Sequence, residues 1–399
     1  MPLESEAHAR SIALMRFLAS VADGLKVAET TYVVGGAVRN WLLGHPVKDI
    51  DVTLDVIRSG RDSEWLAQAV KRAIPVRSSL VTNQYGVAIV TIAEAWSLSG
   101  CEMQGEVIEI ANTRKESYGG GEGKGYKPHR VEPATVEVDL LRREFTFNTL
   151  LWRFSDLQDG PEKAPVLDLL GTGRADLEGA VLRTPREPAR TFSDDPTRML
   201  RAVKFVARYG FRIADDVFTS IQEGADSLKR MPWDAVRKIL TDDILFGRNP
   251  RESIRLLEDL NLSKTLIEIM KAEPGFASAL GRTMADLDPL VVLDLLDLGW
   301  PMKAFLAQFS KEERELLRAY LTPLDEAARR KFVAGMNNPP VDKMRIFDVC
   351  SVPTSERGMV AQVARQLLVH DPSLMDRGPD LAAAVERAVK ERLSGAAQG

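Results

Sequence analysis

Apolar side chains recur at helical spacing over residues 7–26 (Leu14, Met15, Leu18, Val21, Leu25), which predicts an amphipathic first helix. The period then shortens. Residues 31–34 (TYVV) form a β-branched and aromatic run that reads as a short buried strand and ends on Gly35 and Gly36. AVRNWLL returns to helical spacing and stops at Gly44. DIDVTL, YGVAIVTI and VIEIANT are short and rich in β-branched residues, so they predict three further strands, and WRF predicts a last one just after Leu150. Beyond about Asp168 the pattern is helical: DPTRMLRAVKFVARYG, MPWDAVRKILTDDILF and PRESIRLLEDL all place apolar residues three and four apart, and the same spacing continues to about residue 393. The glycine-rich GGGEGKG (119–125) predicts a flexible loop in the first part, and SGAAQG a frayed tail. No repeat of fixed period interrupts this α+β-then-α order.

Composition narrows the function classes. A chain of 399 residues can hold two or three domains, and its 45% hydrophobic and 28% charged residues are those of a soluble globular protein. MPLESEAHARS carries acids and no apolar run, so no secretory signal is expected, and LDPLVVLDLLDLGW is too short and too acidic for a bilayer span. Cys101 and Cys350 lie outside any CxxC, which argues against a disulfide framework or a cysteine zinc site and predicts a cytoplasmic protein. His8, His45, His129 and His370 stand alone, so neither a histidine-held metal nor a histidine–aspartate phosphohydrolase site is expected. With a net charge of −4, any nucleic-acid partner must be held by local basic clusters.

The chemistry concentrates in GGAVRNWLLGHPVKDIDV. A strand ending in two glycines lets backbone amides approach a phosphate closely because no Cβ intervenes, and the following helix turns its positive end to the same anion. Asp49 and Asp51, two apart on a strand, would share a face and could hold hard divalent cations. Two such ions bridging a triphosphate would activate an attacking hydroxyl and neutralise the departing pyrophosphate. An Asp-x-Asp or a diglycine alone is more often a solvated strand end or a plain turn; their order here, strand–GG–helix–turn–DxD, is what points to chemistry.

This stretch resembles the signature of the class II tRNA nucleotidyltransferase and bacterial poly(A) polymerase family, a branch of the DNA polymerase β-like superfamily, whose members show GG-x-VRD-x-LLG followed by DxD. Asn40 stands where that pattern has aspartate. DLLRREFTFNTL resembles the family's D-L-x-RRDFT-x-NA block, with Glu144 and Thr149 replacing aspartate and alanine. IEIANTRKESY resembles the strand bearing a third carboxylate, here Glu109, and GGGEGKG lies where the family has a loop that switches nucleotide choice. LDLLGTGRADLEGAVLRTP looks like the hinge (Asp168, Gly173, Asp176), and FSDDPTRMLRAVKFVARYGF like the E-D-x-x-R block, with Asp194 at the glutamate and Asp195 and Arg198 matching directly. The resemblance runs over roughly residues 30–260, more loosely in PWDAVRKILTDDIL and NPRESIRLLEDLNL.

The resemblance implies an N-terminal DNA polymerase β-like nucleotidyltransferase head (1–155, mixed sheet with helices), a helical neck that recognises the base (156–262) and a helical body and tail that bind tRNA (263–399). It implies Mg²⁺ on Asp49 and Asp51, with Glu109 beside them. Gly35, Gly36 and Arg39 would hold triphosphate, Arg142, Arg143, Glu144 and Asn148 ribose and phosphate, and Asp195 with Arg198 the base. Three apart on a helix, Asp195 and Arg198 project side by side. A carboxylate accepts from the exocyclic amine of cytosine or adenine and a guanidinium donates to the adjacent ring nitrogen, whereas guanine and uracil would set a carbonyl against the carboxylate. The implied activity is addition of CMP and AMP, from CTP and ATP, to the 3′ end and acceptor arm of tRNA. Rival readings are an A-only tRNA enzyme, a poly(A) polymerase or a non-catalytic RNA-binding relative. The intact loop after Arg114 argues against a C-only enzyme, and the lack of a strongly basic carboxyl tail against a poly(A) polymerase. Lys311, Arg314, Arg318, Arg329, Arg330 and Lys331 are candidate RNA-backbone contacts, although basic residues interleaved with acids more often form a solvated helix face.

Overall fold

The computed structural model describes residues 2–47, 49–83, 85–118, 128–272, 287–300, 309–352 and 357–396. The predicted loop 119–125 lies outside them. Two compact units are present: residues 1–239 with 260–262, and residues 240–259 with 263–399.

The first unit opens with α1 (Pro2–Gly24), β1 (Thr31–Val34), α2 (Gly36–Leu42), β2 (Asp51–Leu54), α3 (Val56–Ser59) and α4 (Ser63–Ala73). It continues with β3 (Ser78–Thr82), β4 (Val87–Ile92), a small hairpin of β5 (Ser97–Leu98) and β6 (Cys101–Glu102), and β7 (Val107–Asn112). A second hairpin, β8 (Arg114–Ser117) with β9 (Arg130–Pro133), precedes α5 (Val136–Leu141) and β10 (Leu151–Arg153). Six strands form a mixed sheet in the order β10-β1-β2-β7-β4-β3, with β2 and β7 parallel and the other pairs antiparallel.

Strand alternation decides which helices cover which face. Val34 is opposite Asp51, and Asp51 is in register with Glu109, so these residues share one face with Tyr32 and Leu151. There Val136 and Leu140 of α5 pack on Tyr32, Val34 and Leu151. Ala88, Val90, Ile108, Ile110 and Val52 point the other way and are buried, and α4 packs on β3, β4 and β7. Leu66, Ala67 and Val70 of α4 are buried, and Asp62 caps its first turn by accepting from the Trp65 N–H at 2.8 Å.

The expected strands in DIDVTL, YGVAIVTI, VIEIANT and WRF are present. DIDVTL departs in one respect: the strand begins at Asp51, and Asp49 lies in the irregular segment before it. α4, β3 and the β8–β9 hairpin were not legible in the spacing. After β10 come α6 (Gly173–Glu178), β11 (Val181–Leu182), α7 (Pro188–Asp194), α8 (Thr197–Tyr209), β12 (Arg212–Ile213), α9 (Asp215–Gly224) and α10 (Trp233–Lys238).

In the second unit the chain is helical: α11 (Pro250–Asp259), α12 (Leu262–Ala272), α13 (Pro289–Asp297), α14 (Lys311–Leu321), α15 (Glu326–Asn337), α16 (Lys343–Val349), α17 (Gly358–His370) and α18 (Gly378–Ala396). Four of its candidate RNA contacts are engaged internally. Arg314 pairs with Asp297, Arg318 with Asp294 and Asp297, Arg329 with Asp288, and Arg330 with Glu326. These guanidinium groups are paired with acids, as expected of a solvated helix face. Among the described residues no helix is long and apolar enough to cross a membrane.

Candidate active site

The site forms where β1 ends. Gly35 has φ +77° and ψ −120°, a conformation open to glycine, and its N–H is tied to the Leu150 carbonyl at 3.3 Å. A Cβ on Gly35 would stand 3.2 Å from Arg143 Nη1, 3.7 Å from the Asn148 carbonyl and 4.0 Å from Asp51 Oδ2. The diglycine turn, the first acid of β2 and the arginine after α5 therefore surround one small space, although they are far apart in the chain. The first-turn amides of α2 have no intrahelical acceptor and remain for an anion.

Asp51 is exposed at the head of β2, yet enough protein crowds its carboxyl that burial raises its pKa. Arg143 opposes that rise, while the neighbouring Asp49 and Glu144 carboxylates push it further up. Asp49, outside the strand, acts on Asp51 through its charge. Glu109 shares the face by register, but among the described residues no three acids, cysteines or histidines gather as a metal cluster. A site for hard cations would consist of Asp49 and Asp51 completed by substrate oxygens.

The two arginines after α5 differ. Arg142 donates to Asp139 Oδ1 at 2.8 Å and lies 3.4 Å from Glu116. Arg143 lies only loosely against Asp139, at 3.8 Å, and its Nε is buried without a hydrogen-bond partner. A buried donor left open in this way is what a triphosphate oxygen would satisfy. Glu144 Oε1 accepts from Asn148 Nδ2 at 2.9 Å. Burial alone would raise its pKa; Arg201, its own backbone amide, Arg198 and Arg143 outweigh that and hold it below the ordinary value.

Arg39 is not at the mouth of this space. It is only 8% exposed, donates to Asn148 Oδ1 at 2.5 Å and to Asn40 Oδ1, and lies over the rings of Phe205 and Tyr209. Its place is beneath the turn, linking α2 to α8. At the position where the family pattern has aspartate, Asn40 thus presents an amide oxygen to Arg39 and the Tyr209 hydroxyl.

Asp195 accepts from the N–H and hydroxyl of Thr197 at 3.0 and 2.6 Å, capping α8, and keeps its other oxygen 3.8 Å from Arg198 Nε. Asp195 lies just before α8 in extended conformation rather than on it, so the two side chains approach each other at the helix start instead of projecting from one helix face. Arg198 is buried and within electrostatic reach of Glu144 and Tyr118, so the α8 pair faces the cluster after α5. Asp194 is engaged by Arg186. In the hinge segment, Asp176 accepts from Thr146 and Arg183, and Asp168 from the amides of Gly171 and Arg174.

Glu116 was missed from sequence. Its side chain is 4% exposed and meets Arg114 at 2.7 Å, the Tyr118 hydroxyl at 2.6 Å and Arg142 at 3.4 Å. Alternation in TRKESY was a usable signal, but its partner Arg142 is set by tertiary packing.

A mixed sheet with an acid at the head of one strand, beside a diglycine turn and followed by a helix with an acid–arginine pair at its start, is the arrangement a nucleotidyltransferase head requires. Residues 31–183 match the family described as the poly(A) polymerase head domain. Nucleotidyltransferases of this kind generally use divalent metal ions. The CCA-adding enzyme of Pseudomonas putida is 30% identical over 268 residues, covering 65% of this chain and 61% of that protein. The multifunctional CCA protein of Neisseria gonorrhoeae is 30% identical over 247 residues, covering 59% of this chain and 49% of that one. The chain thus spans about half the length of curated relatives such as the latter. A solved CCA-adding enzyme in its apo form II superposes with a TM-score of 0.54 at 21% identity, covering 89% of this chain and 91% of that one, a likeness of fold.

Proposed function

We propose that this protein is an enzyme that adds CMP and AMP, from CTP and ATP, to the 3′ end of tRNA in the cytoplasm. The observation that carries the reading is the convergence of Gly35, Asp51 and Arg143 on one space, within 4.0 Å of the point a Gly35 side chain would occupy. The names of the similar proteins, CCA-adding enzyme and multifunctional CCA protein, support the choice of substrate.

In this reading the turn amides and Arg143 hold the triphosphate, Arg142 is presented to it by Asp139 and Glu116, and Glu144 with Asn148 orients the ribose. Arg39 is a positioning residue that holds the turn against α8. Asp195 accepts from the exocyclic amine of cytosine or adenine and Arg198 donates to the ring nitrogen, so no nucleic-acid template is needed. Asp49 and Asp51 would hold Mg²⁺, whose charge would acidify the RNA 3′-hydroxyl and neutralise the phosphate oxygens. Glu109, in register with Asp51, orients that hydroxyl for in-line attack on the α-phosphorus, from which pyrophosphate departs. We assign residues 1–155 to the head, 156–262 to the neck and 263–399 to a body and tail that contact tRNA.

The test uses the purified chain, Mg²⁺ and tRNA transcripts ending before CCA, before CA and before A, with single nucleotides or CTP plus ATP, read as lengths on a gel. Completion of all three ends at CCA is expected. Addition of A alone with CTP present would replace this reading by an A-adding one, and long A tails by a poly(A) polymerase.

A further inference from the structure

Arg39 is an exception among the arginines around the glycine turn. Arg142 and Arg143 meet Asp139, Arg198 meets Asp195, and Arg201 meets Glu144. Among the described residues no carboxylate comes within 4.0 Å of the Arg39 guanidinium. All its polar partners are neutral: Asn148 Oδ1 at 2.5 Å, Asn40 Oδ1 at 2.9 and 3.2 Å, and the Tyr209 hydroxyl at 3.3 Å. Its Nη2 lies 3.7 Å from where a Cβ on Gly36 would stand, directly under the turn. A buried guanidinium hydrogen-bonded only to neutral groups, with Glu144 acting on it only from beyond ion-pair distance, is stabilised further when an anion arrives.

Asn40 decides this. Its Oδ1 accepts from Arg39 Nε, Arg39 Nη2 and the Tyr209 hydroxyl, the last at 3.0 Å, while its Nδ2 donates to the Pro46 carbonyl at 3.4 Å. Donors on one side and a carbonyl on the other fix which way the amide faces. A carboxylate here would keep the three donors, set its second oxygen against the Pro46 carbonyl and cancel the Arg39 charge.

We propose that Asn40 determines nucleotide affinity: its neutral amide orients Arg39 without placing a counter-charge against the guanidinium beneath the Gly35–Gly36 turn, so the site's hold on a ligand rises steeply with the number of phosphates. This rests on the reading of that turn as the triphosphate seat.

Calorimetric titration of the full chain with CMP, CDP, CTP and inorganic tripolyphosphate tests it. Wild type should bind progressively tighter along the nucleotide series. In Asn40→Asp, CTP and tripolyphosphate should bind about tenfold more weakly while CMP changes by less than about twofold, compressing the series. An equal loss for all three nucleotides, or none, overturns the inference and leaves the triphosphate seat standing. A wild-type chain that binds neither tripolyphosphate nor CTP overturns both. Should Asn40→Asp lose its circular dichroism, Arg39→Gln must produce the same compression, and a series with wild-type spacing overturns the proposal.

Discussion

Gly35→Ala perturbs the centre of the site by one methyl group, and its consequences divide into two parts. The backbone holds φ at +77° with ψ at −120°, a region that costs a residue with a side chain about 1–3 kcal/mol. Against a total stability of roughly 5–15 kcal/mol this is large, and for a unit of this size it lowers the melting temperature by about 3–10 °C. The new Cβ also stands 3.2 Å from Arg143 Nη1, tighter than ordinary contact, so the guanidinium must move by a few tenths of an ångström while the methyl fills the space an anion would enter. A misplacement of about 1 Å costs about a hundredfold in rate, so this smaller shift together with the filled space should lower nucleotide addition by about tenfold to a hundredfold. Gly44→Ala separates the two parts. Gly44 also has a positive φ, +67°, but nothing lies within 4 Å of its missing side chain, so it should cost about 1 kcal/mol with addition kinetics unchanged. Thermal melts by circular dichroism and initial rates of CTP addition to a tRNA transcript measure both. Wild-type kcat/KM in Gly35→Ala, or equal losses of activity in both variants, would refute the reasoning.

Asp51→Asn should abolish nucleotide addition on a primer gel yet melt above wild type at neutral pH. A carboxyl whose pKa is raised by folding costs stability once ionised, so the gap should open as pH rises through the ordinary aspartate value of about 3.9 and close below it; a variant that melts lower at pH 7 contradicts this. Glu116→Gln has the opposite sign. Burial would raise the Glu116 carboxyl, but Arg142, Tyr118 and Arg114 outweigh it and depress the pKa, so its stabilisation is present above the unfolded value and lost as pH falls through the folded one. Urea unfolding should show a deficit of about 3 kcal/mol at pH 7 that disappears in acid, and a pH-independent deficit would count against the ion-pair account. Asp195→Ala should retain some turnover but discriminate less well against UTP and GTP in single-nucleotide assays; unchanged preference removes its base-reading role.

The order strand, two glycines, helix and acid pair could be read directly because each step depends on neighbours within a few residues. β-Branched runs favour extended chain, glycine permits the turn at Gly35, and Asp195 with Thr197 caps α8 through a local hydrogen bond. Helices α1, α8 and α11 were legible for the same reason, since their apolar residues repeat with the helical period. Other features depend on which strand pairs with which and in what register. Asp49 acts on Asp51 through its charge from outside β2, and Glu109 comes beside Asp51 only because β2 and β7 are parallel neighbours. Arg39, expected at the triphosphate, is instead drawn under the turn by a tyrosine 170 positions away. Glu116 of β8 finds Arg142 beyond α5, and the arginines of α14 are taken up by aspartates of α13. Sequence alone therefore determined the local conformations and the kinds of charged group available, because these follow from short-range sterics and periodicity. Tertiary structure decided which charges were cancelled by partners and which were left for a ligand, because burial and pairing are properties of the packed chain.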